Sequence, residues 1–213
     1  MKIHTYFRSS AAYRVRIALN LKGIAHELVP VHMYRDGGEH RTEGYAAKNP
    51  QRLVPTLELG DGTCLGQSLA IIEYLDATHP GPRLIPDDPL VAARVRAVSH
   101  AIACDIHPLN NLRVMNYLKD PLGHGEAEVR EWYAHWILNG GLDAVERLID
   151  PGGPFCFGDA PTLADCCLVP QLFNARRFGV PLDGLGRVLA VEAHCATLAP
   201  FQAAHPSAQP DAE

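Results

Sequence analysis

Lys2-Ile3-His4-Thr5-Tyr6-Phe7, then Arg8-Ser9-Ser10-Ala11-Ala12, then Tyr13-Arg14-Val15-Arg16-Ile17-Ala18-Leu19-Asn20-Leu21-Lys22-Gly23, is the stretch that decides the fold. Residues 2–7 alternate as a short strand does. Over residues 11–22, Tyr13, Ile17 and Leu21 recur on one helical face until Gly23 stops the helix. Residues 27–33 carry Leu28, Val29 and Val31 as a second strand, 34–38 form a loop and 41–48 a weak helix, so the chain opens as a β-α-β unit. Residues 56–59 and 63–65 flank Gly60-Asp61-Gly62, whose glycines supply the positive φ angles of a tight hairpin, and this predicts two antiparallel strands. Leu69, Ile72 and Leu75 repeat along residues 68–78, a third helix opened by a serine cap and closed before Pro80. The order is β-α-β-α-β-β-α.

Four prolines and a glycine between His79 and Pro89 break this pattern, and no convincing strand follows. Residues 1–80 therefore read as an α/β domain, 81–88 as a linker and 89–213 as an all-α domain. Helices are expected over 90–118, 126–149, 162–176 and 185–198, with Gly152-Gly153-Pro154 as a loop. Residues 207–213 are polar and contain proline, which predicts a frayed tail.

Composition narrows the function. A formal charge of -5 argues against a general grip on nucleic acid, which needs a basic surface to release counterions. No apolar run reaches the roughly 20 residues of a membrane span, and residues 1–10 carry neither a signal core nor a cleavage site, so the sequence predicts a cytoplasmic protein. The six cysteines form no CxxC pair and no zinc-ligand rhythm, which fits reduced thiols; Cys166 and Cys167, in an apolar run, read as buried small hydrophobes. The eleven histidines form no HExxH or comparable spacing, and no metal is expected.

Four short motifs carry the chemistry. Arg8-Ser9-Ser10-Ala11-Ala12 lies between strand and helix, where unpaired N–H groups and the macrodipole favour an anion such as a thiolate; one serine also suits a plain N-cap, and with two serines both readings hold. Asn49-Pro50-Gln51-Arg52-Leu53-Val54-Pro55-Thr56 places a proline directly before a strand. There it is either an ordinary edge-strand start or, with a cis bond, a device that leaves the Val54 backbone open to an extended peptide ligand. Gly66-Gln67-Ser68 puts amide and hydroxyl donors at another helix start, suited to a carboxylate and equally to a serine cap. Thr162-Leu163-Ala164-Asp165 is a capping box and reads as structural.

Taken together and in this order, these motifs resemble the cytosolic glutathione transferases over essentially the whole chain. Tyr6-Phe7-Arg8-Ser9-Ser10 with Arg14-Val15-Arg16-Ile17-Ala18-Leu19, Leu53-Val54-Pro55-Thr56-Leu57, Gln67-Ser68-Leu69-Ala70-Ile71-Ile72-Glu73-Tyr74-Leu75 and Leu168-Val169-Pro170-Gln171 look like the zeta class, whose members isomerise maleylacetoacetate or maleylpyruvate. The resemblance implies a thioredoxin-like domain that binds glutathione, a helical domain that completes the substrate pocket, and a homodimer. It maps the catalytic serine onto Ser9, with Ser10 beside it. Val54 would pair with the cysteinyl part of glutathione, Gln67 and Ser68 would hold its γ-glutamyl carboxylate, and Gln51, His107 and Asn111 are further glutathione contacts. Arg8 and Arg177 would meet a dicarboxylate diketo-acid substrate. Arg176, about 100° further round the helix, is the second choice, and both arginines also suit a helix C-terminus. Ala11 stands where the eukaryotic-type pattern has a cysteine, which removes a thiol from the helix start and leaves both serines in place. A conjugating transferase and a non-catalytic glutathione-binding protein are the other readings of this pattern.

Overall fold

The computed structural model describes all 213 residues. Two compact units emerge from the packing: Met1–Ile85 together with Ala196–Glu213, and Pro86–Cys195. Along the chain the first unit contains β1 (Lys2–Thr5), α1 (Ser10–Leu21), β2 (Glu27–Pro30), α2 (Glu43–Ala46), β3 (Thr56–Glu58), β4 (Cys64–Gly66) and α3 (Ser68–Thr78). The second holds α4 (Pro89–His100), α5 (Leu112–Lys119), α6 (Glu126–Ile137), α7 (Asp143–Leu148), α8 (Leu163–Arg177) and α9 (Gly186–Cys195). Helix α10 (Ala199–Ala204) returns to the first.

The sheet order is β2-β1-β3-β4, with β1 and β2 parallel and the other pairs antiparallel. Its register puts His4 opposite Thr56 and Thr56 opposite Gly66. The end of β1, the start of β3 and the end of β4 therefore meet at one edge, and the loops leaving them form the site described below. The expected hairpin is present: Gly62 has φ 87°, the Asp61 carboxylate accepts from the Thr63 amide at 2.9 Å, and the Leu59 amide donates to the Thr63 carbonyl at 2.8 Å.

Helix α1 is buried far beyond one face. Val15, Ile17, Ala18 and Leu19 are fully covered, and Arg14 and Arg16 are 1% exposed. The reason is that α1 packs against both α3 and α10. The second of these contacts differs from the sequence reading of the chain's end: Ala196–Glu213 belongs with the first unit, and residues 207–213 are not frayed. Gln209, 6% exposed, donates from Nε2 to the carbonyls of Ala203 and His205 at 2.9 Å each. Residues 81–85 also pack with this unit, because the buried Asp76 carboxylate accepts from the amides of Leu84 and Ile85 and pairs with Lys22 at 3.1 Å.

The second unit is all helix, with two breaks that periodicity does not reveal. The expected 90–118 helix ends at His100, widens into a π-turn over Ala101–Ile106, tightens over His107–Asn110 and restarts at α5. Pro108 explains the interruption, since its ring removes an N–H and clashes with the preceding turn. The expected 126–149 helix breaks at Leu138–Leu142, where Gly140 takes φ 72° and a Cβ on Gly141 would lie 2.9 Å from the Trp136 carbonyl oxygen. Residues 185–198 give α9 alone, and a new helix starts at Ala199. Cys156, Cys166, Cys167 and Cys195 are buried free thiols.

Helix α8 starts on the predicted capping box. Thr162 Oγ1 accepts from the Ala164 amide, and Asp165 Oδ2 accepts from the Thr162 amide at 2.7 Å. Asp165 Oδ1 also accepts from the Cys156 amide at 2.8 Å, so one buried carboxylate fixes both the helix start and the loop before it. Burial pushes that carboxyl up, opposed by the donors it accepts from. Asp165→Ala leaves those buried donors unpaired and is expected to destabilise the protein by about 3 kcal/mol, against about 1 kcal/mol for Thr162→Ala. Denaturant midpoints measure both; equal losses would reduce Asp165 to a simple cap.

Candidate active site

The loop from β1 to α1 is built around a buried cation. Arg16 lies within the apolar run of α1, and its guanidinium reaches back to the chain that precedes the helix. Its Nη1 donates to Thr5 Oγ1 at 2.9 Å and Tyr6 O at 3.4 Å, and its Nη2 to Phe7 O at 3.1 Å. The Nε donates to the Ala204 carbonyl at 3.1 Å. Desolvation brings the Arg16 pKa down to about 10, which still leaves a full charge at neutral pH. Sequence reasoning missed this residue. The available signal was a pair of cations, Arg14 and Arg16, flanking Val15 in an otherwise apolar stretch.

Ser9 follows directly. It is the N-cap of α1, with φ -70° and ψ 115°, and its Oγ accepts from the Ala12 amide at 3.2 Å. Capping uses a lone pair of the hydroxyl and leaves its hydrogen as a donor, so one oxygen serves both roles read from the sequence. Ser9 is half-buried, whereas Ser10 is the first helical residue and 3% exposed. Arg8, also half-buried, holds its guanidinium 4.7 Å from the Phe7 ring centre.

The loop before β3 is fixed from behind. Asn49, 5% exposed, donates from Nδ2 to the Leu53 carbonyl at 2.8 Å and to Thr56 Oγ1 at 3.0 Å, while its Oδ1 accepts from the Gln51 amide at 3.0 Å. Tyr45 adds a hydroxyl bond to the Leu53 carbonyl at 2.6 Å, and burial pushes its phenol up to about 12. The Val54-Pro55 peptide is cis. Val54 packs its side chain in one cluster with Tyr6 and Phe7, while its N–H and C=O take part in neither the β3 ladder nor a turn. Of the two readings of this stretch the structure has the cis bond, and the Val54 backbone edge is open beside the residues that lead to Ser9.

At the α3 start the expected serine cap is corrected. Gln67 occupies the cap position in the left-handed region, with φ 66°, and no side chain caps the helix. Ser68 is already helical, and its Oγ accepts from Arg14 Nη1 at 3.2 Å. Gln67 instead donates from Nε2 to Gln51 Oε1 at 2.7 Å, which joins two residues that the sequence named separately. An N-terminus without a side-chain cap keeps its amides for a carboxylate, so the residues present fit the γ-glutamyl end of glutathione.

Among the named residues of the second unit, Asn111 caps α5 by accepting from the Arg113 amide at 3.1 Å, and His107 lies half-buried in the turn before it. Arg176 pairs with Glu192. Arg177, exposed at the end of α8, lies over Phe178, which stacks on the buried Tyr133 at 3.8 Å between ring centres. A cavity of 490 Å³ here is lined by Met115, Lys119, Arg130, Arg176, Arg177 and Phe178 among others.

Comparison with known proteins fits this site. A family model for the N-terminal domain of glutathione S-transferases matches residues 4–83, and one for the C-terminal domain matches residues 126–206. The chain belongs to the glutathione S-transferase family. It is 52% identical over 211 residues to a maleylacetoacetate isomerase of Pseudomonas aeruginosa, covering 99% of this chain and 98% of that one. Among solved structures it is similar to a bacterial zeta-class maleylpyruvate isomerase, with TM-score 0.95 and 45% identity over the whole of both chains. A maleylacetoacetate isomerase of Anaeromyxobacter dehalogenans, solved with dicarboxyethyl glutathione and citrate in its active site, superposes with TM-score 0.84 and 41% identity over 100% of this chain and 93% of that one. In this glutathione S-transferase, Asn49→Ala frees the loop that presents Val54 and is expected to raise the KM for glutathione about tenfold, roughly 1.4 kcal/mol. Steady-state kinetics in varied glutathione measure it; an unchanged KM would mean the loop keeps its shape without Asn49.

Proposed function

We propose that this chain is a glutathione-dependent cis–trans isomerase that converts maleylacetoacetate to fumarylacetoacetate in aromatic amino-acid catabolism, acting as a cytoplasmic homodimer. The observation that carries the reading is Ser9, a helix cap whose hydroxyl hydrogen remains available at the α1 N-terminus. When bound, glutathione would supply a thiolate nucleophile for reversible addition to the cis double bond of a maleyl diketo acid, with rotation about the single bond so formed before the thiolate is expelled, and it would be returned unchanged as a cofactor.

The chain's own residues make this possible. A free thiol has a pKa near ~8.5, and lowering it by about two units takes roughly 2.7 kcal/mol of preference for the charged form. The Ser9 hydroxyl, donating to sulfur, and the positive end of α1 together supply a preference of that order. The Val54 backbone and the uncapped α3 start, with Gln67 beside it, hold the peptide part of glutathione in place. Arg8 and Arg177 offer forked donors for the substrate carboxylates and for negative charge that develops on the enol oxygen. Arg176, committed to Glu192, has the lesser part.

A second reading, isomerisation of maleylpyruvate, rests on the similarity to a maleylpyruvate isomerase structure at TM-score 0.95. Both substrates are tested by following loss of enol absorbance with purified protein, with and without glutathione. Maleylacetoacetate is expected to turn over faster and only with glutathione, and Ser9→Ala, which keeps the helix end, is expected to lose about tenfold in kcat, the equivalent of about 1.4 kcal/mol. Faster turnover of maleylpyruvate would select the second reading, and glutathione binding with neither substrate turned over would overturn both.

A further inference from the structure

The Phe7 peptide is held at both ends by groups far away in the sequence. Its carbonyl accepts from Arg16 Nη2 at 3.1 Å, and its N–H donates to Asp211 Oδ2 at 3.0 Å. Phe7 is the second residue beyond the end of β1, with Arg8 and Ser9 next along the chain. Asp211 comes from a segment that is itself tied down. The turn Pro206–Ala208 leads into buried Gln209, the Ala212 amide donates to the Gln209 carbonyl at 3.1 Å, and Glu213 pairs with His32 at 2.9 Å. The second carboxylate oxygen, Oδ1, is buried without a hydrogen bond. A buried anion of this kind needs a compensating charge. The Arg16 guanidinium supplies it, and the Asp211 charge in turn helps to hold Arg16 in its charged form.

We propose that Asp211 is a positioning residue for the Ser9 hydroxyl: its carboxylate and the Arg16 guanidinium clamp the Phe7 peptide at both ends and so set where the next two residues, Arg8 and Ser9, stand. Without the carboxylate the Phe7 amide is a buried donor with no acceptor, and the loop must shift to satisfy it. Asp211 then touches neither substrate nor sulfur and acts through Ser9. The role rests on the reading of Ser9 as the thiolate donor.

The sign of one measurement separates positioning from simple electrostatics. Removing a negative charge from this neighbourhood would by itself favour a thiolate and lower the pKa of bound glutathione, whereas misplacing Ser9 raises it. The experiment is a pH titration of thiolate ultraviolet absorbance for glutathione bound to the full chain, compared among the unsubstituted protein, Ser9→Ala, Asp211→Ala and Asp211→Asn, together with kcat and KM. Asp211→Ala is expected to raise the bound thiol pKa by about one unit, which lowers the thiolate fraction about threefold at pH 7 and about tenfold well below both pKa values, with kcat falling by about the same factor at each pH and the KM for glutathione nearly unchanged. Asp211→Asn keeps an acceptor for the Phe7 amide and is expected to stay close to the unsubstituted protein. A lowered or unchanged thiol pKa in Asp211→Ala, with Ser9→Ala raising it, would overturn the assignment even if the protein melts at lower temperature. Should Asp211→Ala not fold, the Asn variant decides, since a thiol pKa raised as far as in Ser9→Ala would also overturn it. An unshifted pKa in Ser9→Ala would remove the reading of Ser9 and this role with it.

Discussion

The guanidinium of Arg16 has almost no water to solvate it, and the protein provides that solvation from its own backbone. The carbonyls of Tyr6, Phe7 and Ala204 and the hydroxyl of Thr5 surround it. The Phe7 and Ala204 carbonyls would otherwise be buried acceptors without a donor, while the Tyr6 carbonyl also accepts from the Ser9 amide at 2.9 Å, so cation and loop require one another. The consequence is geometric. The loop between β1 and α1 cannot relax outward without stranding a charge, and α10 cannot leave α1 without removing one of its acceptors. A rigid approach to Ser9 follows from burying that charge.

That rigidity matters because thiol activation depends on small energies delivered at one place. A hydroxyl that caps a helix already points its oxygen at the backbone, and its remaining hydrogen goes wherever the cap geometry sends it. On the proposed function, the N-cap therefore orients a hydrogen bond to sulfur, in addition to the positive end of the helix dipole. The neighbouring loops follow the same logic. Asn49 and Tyr45 fix the chain around Val54 so that its backbone is free, and the left-handed Gln67 leaves the α3 amides without a side-chain cap. Each device places an unsatisfied polar group at the sheet edge where β1, β3 and β4 begin or end. A peptide-like ligand with a carboxylate and a thiol complements that set.

Much of this was legible in the sequence where a local rule decides the outcome. Alternation and the Asp-Gly turn give the strands and the hairpin, the capping box gives α8, and Ser9 stands where an N-cap must. What escaped was decided by distant contacts. Residues 207–213 look frayed by composition, yet Gln209 and Asp211 are held by α10 and by Phe7. Ser68 looks like a cap, but Gln67 takes that position and Arg14 takes the hydroxyl. The two long helices of the second unit keep their periodicity through Pro108 and Gly140-Gly141, so apolar spacing conceals breaks that backbone chemistry imposes. Arg16 appears with Arg14 as one of two cations in an apolar stretch, and nothing local names its acceptors.

An isomerase of the proposed kind uses glutathione and returns it. Counting free thiol while product accumulates over many turnovers tests it most directly: total glutathione thiol should remain constant as the cis substrate becomes its trans isomer. Loss of one thiol for each substrate consumed would contradict the account and make the chain a conjugating transferase.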